Sequence, residues 1–171
     1  GDYSTSESAT TTGGGEDILE SEDFESGLGN WSNVSSGDSH DWTRDSGGTP
    51  SGSTGPSSGA NGSTWYMYLE CSSAGGGAYY SGDSAILEGP SINGTNRELT
   101  LYYHMYGSNI GTLYVDVYSG GAWTDDVWSI SGQQHSSNGA AYTQAVVDLS
   151  SYSGTIRIRF LAAFQFSQPV L

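Results

Sequence analysis

Apolar and polar residues alternate in short runs bounded by Gly, Asn and Ser, and this pattern most constrains the fold. Leu99, Leu101 and Tyr103 alternate with Thr100 and Tyr102, and similar alternation occupies residues 113–118, 144–149 and 156–160. A period of two places one face of each run in a core and the other toward solvent. These runs therefore predict antiparallel, half-buried strands.

Helix signals are weak throughout the sequence. The chain contains 26 Gly, and we expect no helix of about ten residues because good helix formers do not occur in series. Shorter strand signals at residues 65–70, 84–87 and 127–130 raise the expected number of strands to roughly eight to ten. Asn93-Gly94 and Gly120-Gly121 are typical of tight hairpin turns. The pattern predicts an all-β fold, a two-sheet antiparallel β-sandwich with jelly-roll topology.

Charge and composition restrict the possible partners. With 19 acidic against 4 basic residues, the formal net charge is −15, which repels nucleic-acid phosphates and anionic lipid surfaces. The sequence contains no run of about 18 apolar residues, the length that a membrane-spanning helix needs. The single Cys71 cannot form an internal disulfide. We expect residues 1–15, rich in Ser, Thr and Gly, to be a flexible linker, and residues 16–171 to form one domain.

Four segments resemble the MAM domain family in the right order. They read DFESGLGNW from Asp23, DWTRDSGGTPSGSTGP from Asp41, HMYGSNIGTLYV from His104 and DLSSYSGTIRIRF from Asp148. The resemblance implies the same jelly-roll sandwich and a secreted or cell-surface location. Family cysteines are replaced by Glu22, Gly29 and a residue near Glu98, so the chain resembles bacterial, cysteine-poor members.

Acidic residues before the first family motif suggest a bound cation. Residues 16–25 contain a run of carboxylates, and Ca²⁺ prefers six to eight oxygen ligands. The resemblance implies Glu25 and Asp41 as ligands of a structural Ca²⁺, and Asp38 and Asp23 are neighbours that could join them. The alternative is a solvated acidic run, because no loop shows the spaced Asp pattern of a dedicated calcium loop.

Aromatic residues form the second group of candidates. Trp31 and Trp42 lie inside family motifs, and we expect them in the core. Other rings lie at strand ends or in Gly-rich loops, where they can stack on sugar C–H faces while Asp or Gln side chains bind hydroxyls. The candidate rings are Trp65, Tyr79, Tyr80, Trp123 and Tyr142, and the candidate hydroxyl-binding residues are Asp125, Asp126, Gln133 and Gln134. The alternative for each ring is partial burial at the rim of a sheet.

Catalytic patterns are weak. Residues 55–59 satisfy G-x-S-x-G, but they lie in a Gly/Ser-rich loop without the following helix that makes a nucleophile elbow. His40, His104 and His135 are isolated in sequence and do not form a zinc-binding pair. We expect no enzymatic activity.

The C-terminal residues depart from the family pattern. Residues 162–171 read AAFQFSQPVL, where family members continue into a last strand, and we expect this to leave a sheet edge available for homo-oligomers. Two hypotheses remain open. The chain is either a non-catalytic extracellular module that binds a glycan or protein surface, or an adhesion domain that acts by self-association.

Overall fold

The computed structural model describes the backbone of residues 2–8 and all atoms of residues 18–70 and 80–164. Within these described residues there are eleven strands, together with one three-residue 3-10 turn at Ala60–Gly62. They are β1 (Asp2–Ser8), β2 (Ser32–Asn33), β3 (Thr43–Ser46), β4 (Trp65–Leu69), β5 (Ser84–Glu88), β6 (Ile92–Asn93), β7 (Glu98–Tyr106), β8 (Thr112–Ser119), β9 (Ala122–Ser131), β10 (Thr143–Asp148) and β11 (Thr155–Ala163). The expected absence of long helices holds for the described residues.

The strands form two antiparallel sheets. One sheet has five strands in the order β10-β7-β1-β4-β3, and the other has the order β2-β5-β11-β8-β9, with β6 pairing to β11 beside this path. The predicted all-β sandwich with jelly-roll arrangement is therefore confirmed. Its outer strands are β10 and β3 in the first sheet, and β2 and β9 in the second.

The core lies between the two sheets and follows the alternation in the sequence. In β11, Ile156, Ile158 and Phe160 are buried, whereas Arg157 and Arg159 lie on the opposite, outer face. Trp31 stacks on Phe160 with ring centroids 5.2 Å apart, and Trp31 and Trp42 are both buried as predicted. Burial of each large apolar side chain contributes roughly 1.5–3 kcal/mol, so these rings help fix the separation of the sheets.

One predicted hairpin is confirmed and the other is wrong. Gly120 and Gly121 have positive φ angles and join β8 to β9, as expected for a tight turn. Asn93-Gly94 does not join two paired strands, because β6 pairs with β11 while β7 belongs to the other sheet. Buried Arg97 holds this crossing, since its guanidinium donates to the backbone oxygens of Ile92, Tyr152 and Gly154.

The N-terminal segment differs from the flexible linker expected over residues 1–15. Asp2–Ser8 forms β1, which lies between β7 and β4 and is antiparallel to both. Ser and Thr are compatible with extended backbone, and the backbone hydrogen bonds offered by two neighbouring strands outweigh the composition signal. Residues 9–15 lie outside the described part of the chain.

The C-terminal strand does not leave the open edge that the sequence predicted. β11 pairs with β8 on one side and with β5 and β6 on the other, so it is an inner strand of its sheet. Phe164, at the end of the described residues, is buried and its backbone pairs with Asp83 and Gly82. Oligomers through a C-terminal edge are therefore not supported by these residues, and residues 165–171 lie outside the description.

Candidate functional site

A β-bulge shapes the outer face of the second sheet. Val115 pairs with Trp128 and Val117 pairs with Thr124, so the register shifts around Asp116. On the β9 side, Asp126 has a φ of 57°, a left-handed conformation that an Asp tolerates better than most residues. Its backbone N–H donates to Asp116 Oδ1 at 2.8 Å. The bulge therefore turns β9 toward a carboxylate on β8.

An arginine on β11 connects the two sides of this bulge. Arg159 Nε donates to Asp116 Oδ2 at 2.7 Å, and its Nη2 donates to Asp125 Oδ1 at 3.1 Å. Asp116 is only 2% exposed, whereas the Asp125 side chain is 75% exposed. The Asp116 carboxylate is thus satisfied by charged and backbone donors, while Asp125 keeps most of its oxygen surface in solvent.

Aromatic rings complete this region. The Arg159 guanidinium carbon lies 4.2 Å from the centroid of the Trp123 ring, and that of Arg157 lies 4.5 Å from the Tyr118 ring. Tyr118 and Trp123 contact each other edge to face at 5.4 Å, and Arg157 also pairs with Glu88. We call this set the arginine face; its residues are Tyr118, Trp123, Arg157 and Arg159, with Asp116, Asp125 and Asp126.

An open cavity of about 320 Å³ adjoins the arginine face. Its lining residues are Tyr114, Asp116, Asp125, Asp126, Arg159, Leu161 and Ala163. This volume lies at the lower end of the range of small-molecule sites. Apolar side chains and a Tyr ring lie beside carboxylate acceptors and a guanidinium donor, so the cavity offers both stacking and directional hydrogen bonds.

A second cluster of Arg, Trp and carboxylate lies near the start of the domain. Glu25 Oε1 accepts hydrogen bonds from the Ser63 hydroxyl at 2.5 Å and from the backbone N–H groups of Thr64 and Trp65 at 2.6 and 2.8 Å. The Ser63 hydrogen bond, followed by those from the backbone, lowers the pKa of Glu25. Arg44 donates to the backbone oxygens of Phe24 and Glu25 and lies 3.7 Å from the Trp65 ring centroid. We call this set the Glu25 corner.

The four predicted calcium ligands are not brought together. Asp23 Oδ1 accepts from the backbone of Glu25, Asp38 Oδ2 accepts from the backbone of Ile86, and Asp38 and Asp41 line a separate cavity with His40. Within residues 18–70 and 80–164, no three His, Cys, Asp or Glu side chains are grouped to hold a metal ion. Ca²⁺ binding by these four residues therefore stays a prediction.

The predicted ligand-binding aromatics are dispersed over the fold. Trp123 belongs to the arginine face, Trp65 begins β4 in the other sheet and stacks on Arg44, and Tyr80 is 67% exposed beside Asp83. Tyr142 precedes β10 and contacts the ring of His104 at 5.4 Å. Tyr79 lies outside the described residues. Of the predicted hydroxyl-binding residues, Gln134 donates to the Ser131 and Gly132 carbonyl oxygens, whereas Asp125 and Asp126 line the cavity.

Two histidine rings stack where the β9–β10 loop covers β7. His104 is fully buried, and its ring lies 4.4 Å from that of His135. Neither ring nitrogen of His104 makes a hydrogen bond of ordinary geometry, although the nearby Ser137 backbone slightly favours the charged ring. Burial, reinforced by His135, lowers the pKa of His104 to about 4. His135 is bonded to the Met105 N–H and to Thr143, so the pair attaches the β9–β10 loop to β7.

The sequence reading missed the central residues of the arginine face. Arg157, Arg159 and Asp116 were not among the candidate ligand residues, although two of the only 4 basic residues occur at alternate positions of one strand. That spacing places both guanidinium groups on the same face of a sheet, and in so acidic a chain it was a usable signal. The position of Asp116 depends on the bulge, which alternation does not reveal.

Two further expectations concern catalysis and membranes. The Gly55–Gly59 segment leads into the 3-10 turn Ala60–Gly62, and a nucleophile elbow requires a longer helix at that position.

In the described parts of the chain, no helix has the length and apolar character needed to cross a bilayer.

Comparison with known proteins agrees with this architecture. Residues 23–169 match the family described as "MAM domain, meprin/A5/mu", so the chain belongs to the MAM domain family. It is 35% identical over 133 residues to MAM domain-containing glycosylphosphatidylinositol anchor protein 1 of Homo sapiens, which covers 72% of this chain and 13% of that protein. It is 36% identical over 107 residues to the Gallus gallus protein of the same name, covering 57% and 11%. The chain therefore spans a small part of these relatives.

Proposed function

We propose that this chain is a non-catalytic extracellular module that binds a neutral glycan through the arginine face and its adjoining cavity. Family membership supports an extracellular, adhesion-type role, and the names of the similar proteins include a glycosylphosphatidylinositol anchor. The observation that carries the proposal is the cavity itself, where Asp125 and Asp126 lie beside Arg159 and Tyr114.

The chemistry of these groups suits saccharide hydroxyls. A hydroxyl both donates and accepts, so it pairs with a carboxylate on one side and a guanidinium on the other. Arg159 is held by Asp116 and by the Trp123 ring, and therefore loses little conformational freedom when a ligand binds. The Tyr114 ring offers an apolar surface for sugar C–H groups.

The charge of the module favours an uncharged glycan. Its formal net charge of −15 repels uronate or sulfate groups at long range, and Asp125 and Asp126 add negative charge beside the cavity. We therefore expect neutral polysaccharides to bind more tightly than acidic ones, with a difference that decreases as salt screens the repulsion.

Affinity electrophoresis tests the proposal. The intact chain is run through gels containing mannan, xylan, galactan, mixed-linkage β-glucan or polygalacturonate. We expect at least one neutral polysaccharide to retard it, and Trp123→Ala or Asp125→Ala to remove most of the retardation. Tyr80→Ala and Asp148→Ala are matched controls, because they remove an exposed ring and an exposed carboxylate elsewhere. Unchanged mobility in every gel, or equal loss in the controls, contradicts glycan binding at this face.

Adhesion between protein surfaces is a second candidate. β9 extends over Ala122–Ser131, is the last strand of its sheet and is mostly exposed. An edge of this length offers unpaired backbone groups to another strand. Introducing Pro at Ser129, an exposed β9 position, should weaken self-association measured by sedimentation if this edge is used, and a strictly monomeric parent chain at tens of micromolar contradicts it.

A further inference from the structure

The five-stranded sheet is continuous only through β1. Its order is β10-β7-β1-β4-β3, so β7 and β4 both pair with β1 rather than with each other. The pairing with β7 runs from Asp2 opposite Tyr106 to Ser8 opposite Thr100, and the pairing with β4 runs from Tyr3 opposite Leu69 to Thr5 opposite Met67. The gap between β4 and β7 is therefore a slot that accepts one extended segment. We call it the β4–β7 slot.

The neighbours of this slot are more apolar than the strand within it. Directly paired residues of adjacent strands share one face of a sheet. Tyr3, Thr5 and Glu7 occupy positions opposite residues that all belong to the core; these are Leu69, Met67, Met105, Tyr103 and Leu101. In sequence, β1 reads DYSTSES, which offers little apolar surface. The backbone hydrogen bonds of the slot do not depend on side chains, so any extended segment can supply them.

The connection between β1 and the rest of the domain allows β1 to reach the slot of its own molecule or of another. β1 ends at Ser8, opposite Thr100 near the start of β7, and Leu19 lies against Gly94, four residues before β7 begins. Residues 9–18 join these two points, and a segment of that length reaches at most about 35 Å when extended. Such a connection allows β1 to enter its own slot or that of an adjacent molecule.

We propose that β1 is an exchangeable strand, and that two copies of this chain form a dimer in which each β1 fills the β4–β7 slot of the other. A second copy is the occupant because it carries the same strand, with the same register and the same backbone bonds, so exchange leaves the sheet unchanged. This interaction is independent of glycan binding and does not use the edge of β9.

Concentration decides between the two arrangements. A short connection holds β1 near its own slot at an effective concentration on the order of millimolar. The closed monomer therefore predominates in dilute solution. Exchange becomes important where copies are concentrated, as in arrays on a surface, or where the connection is too short for the strand to return to its own slot.

Disulfide trapping tests the exchange. Ser6 and Tyr102 are partners in the β1–β7 register, and such positions fall within the Cα separation of disulfides. The chain carrying Cys71→Ser, Ser6→Cys and Tyr102→Cys is unfolded, refolded from micromolar to millimolar concentration and oxidised. We expect reducible covalent dimers that increase with concentration, at least tenfold across the series. Only intramolecular disulfides at every concentration would overturn the proposal.

Two further variants make this result specific. The chain with Cys71→Ser and Ser6→Cys alone controls for random thiol contacts, and it should form no more than a minor dimer at the same concentrations. Deletion of residues 10–15 shortens the connection, so the otherwise native chain should sediment as a dimer at concentrations where the parent is a monomer. A shortened chain that remains monomeric contradicts exchange, whatever its affinity for polysaccharides.

Discussion

The Glu25 corner and the arginine face both combine an arginine, a tryptophan and carboxylates, but these residues have different roles in the two clusters. In each, an arginine guanidinium stacks on a tryptophan, Arg44 on Trp65 at 3.7 Å and Arg159 on Trp123 at 4.2 Å. Arg44 donates to backbone oxygens, whereas Arg159 donates to two side-chain carboxylates. The first arrangement ties one chain segment to another, and the second leaves polar groups beside a cavity.

The difference lies in what remains available after folding. Glu25 Oε1 already accepts hydrogen bonds from Ser63, Thr64 and Trp65, so this oxygen is used within the fold. At the arginine face, Asp116 is fully engaged but Asp125 projects into solvent. Carboxylates that are satisfied internally stabilise a fold, and those that retain free lone pairs can recognise a partner.

A substitution at the Glu25 corner should cause the greatest loss of stability. Arg44→Met keeps much of the apolar stem and removes the hydrogen bonds to Phe24 and Glu25. We expect the free energy of unfolding to fall by about 3 kcal/mol, since each bond to a charged donor contributes about 1.5 kcal/mol. Urea denaturation measures this loss. Glycan affinity of the folded variant should be unchanged, and a parallel loss of affinity breaks the distinction between the clusters.

The pH dependence of stability distinguishes the buried histidines from both clusters. The pKa of His104 is lowered from 6.5 to about 4, so the unfolded chain takes up a proton at a higher pH than the folded chain. The contribution of the neutral His104 ring to the free energy of unfolding is fully present above pH 6.5. It decreases by roughly 2–3 kcal/mol as the pH falls toward 4. Denaturation at several pH values should show this slope.

The matched variant for this measurement is His104→Phe. It removes the titrating ring and should flatten the slope between pH 6.5 and 4. Burial also lowers the pKa of His135, so a smaller slope in the same direction should remain. An identical slope in the parent and the variant assigns the acid sensitivity to other groups.

At the arginine face, we expect a substitution to change stability little and to weaken glycan binding clearly. Asp125 is largely exposed, so Asp125→Ala should change the free energy of unfolding by less than about 1 kcal/mol. Its affinity for a neutral polysaccharide should fall about tenfold, the effect of one lost 1.4 kcal/mol contact. Titration calorimetry and urea denaturation of the same preparation provide both values. A stability loss as large as that of Arg44→Met makes Asp125 a structural residue.

A smaller acid effect belongs to Glu25. Its pKa is lowered, chiefly by the Ser63 hydroxyl, so this carboxylate stabilises the fold above its ordinary pKa of 4.5 and that contribution is lost as the pH falls through the folded pKa. In the His104→Phe background, Glu25→Gln should reduce the loss of stability below pH 4.5. Asp125→Asn is the control at the arginine face. Equal effects of the two substitutions contradict the separate roles assigned to the clusters.

The sequence predicts those parts of the molecule that depend on local periodicity. Alternation in residues 156–160 gives both the buried face of β11 and the outward position of Arg157 and Arg159. The turn at Gly120-Gly121 follows from residues that tolerate positive φ. These features require no knowledge of which strands pair.

The rest depends on pairing between distant segments. Glu25 meets donors from residues 63–65, and the bulge beside Asp116 arises only when β8 and β9 pair with a register shift. The position of β1 depends on strands more than 50 residues away, as in the pair Tyr3 and Leu69. Such contacts are decided by tertiary packing, which overrides local composition.

Calcium gives the smallest expected effect and the sharpest test of the Glu25 corner. The sequence interpretation assigns Glu25 to a cation, but its Oε1 accepts from an O–H and two N–H groups, and these donors and a cation compete for the same lone pairs. We therefore expect the melting temperature to change little, by less than about 2 °C, between excess Ca²⁺ and chelator. A larger rise that disappears in Glu25→Gln, but not in Asp125→Asn, would mean that the donors reorganise around an ion and that the corner is a binding site after all.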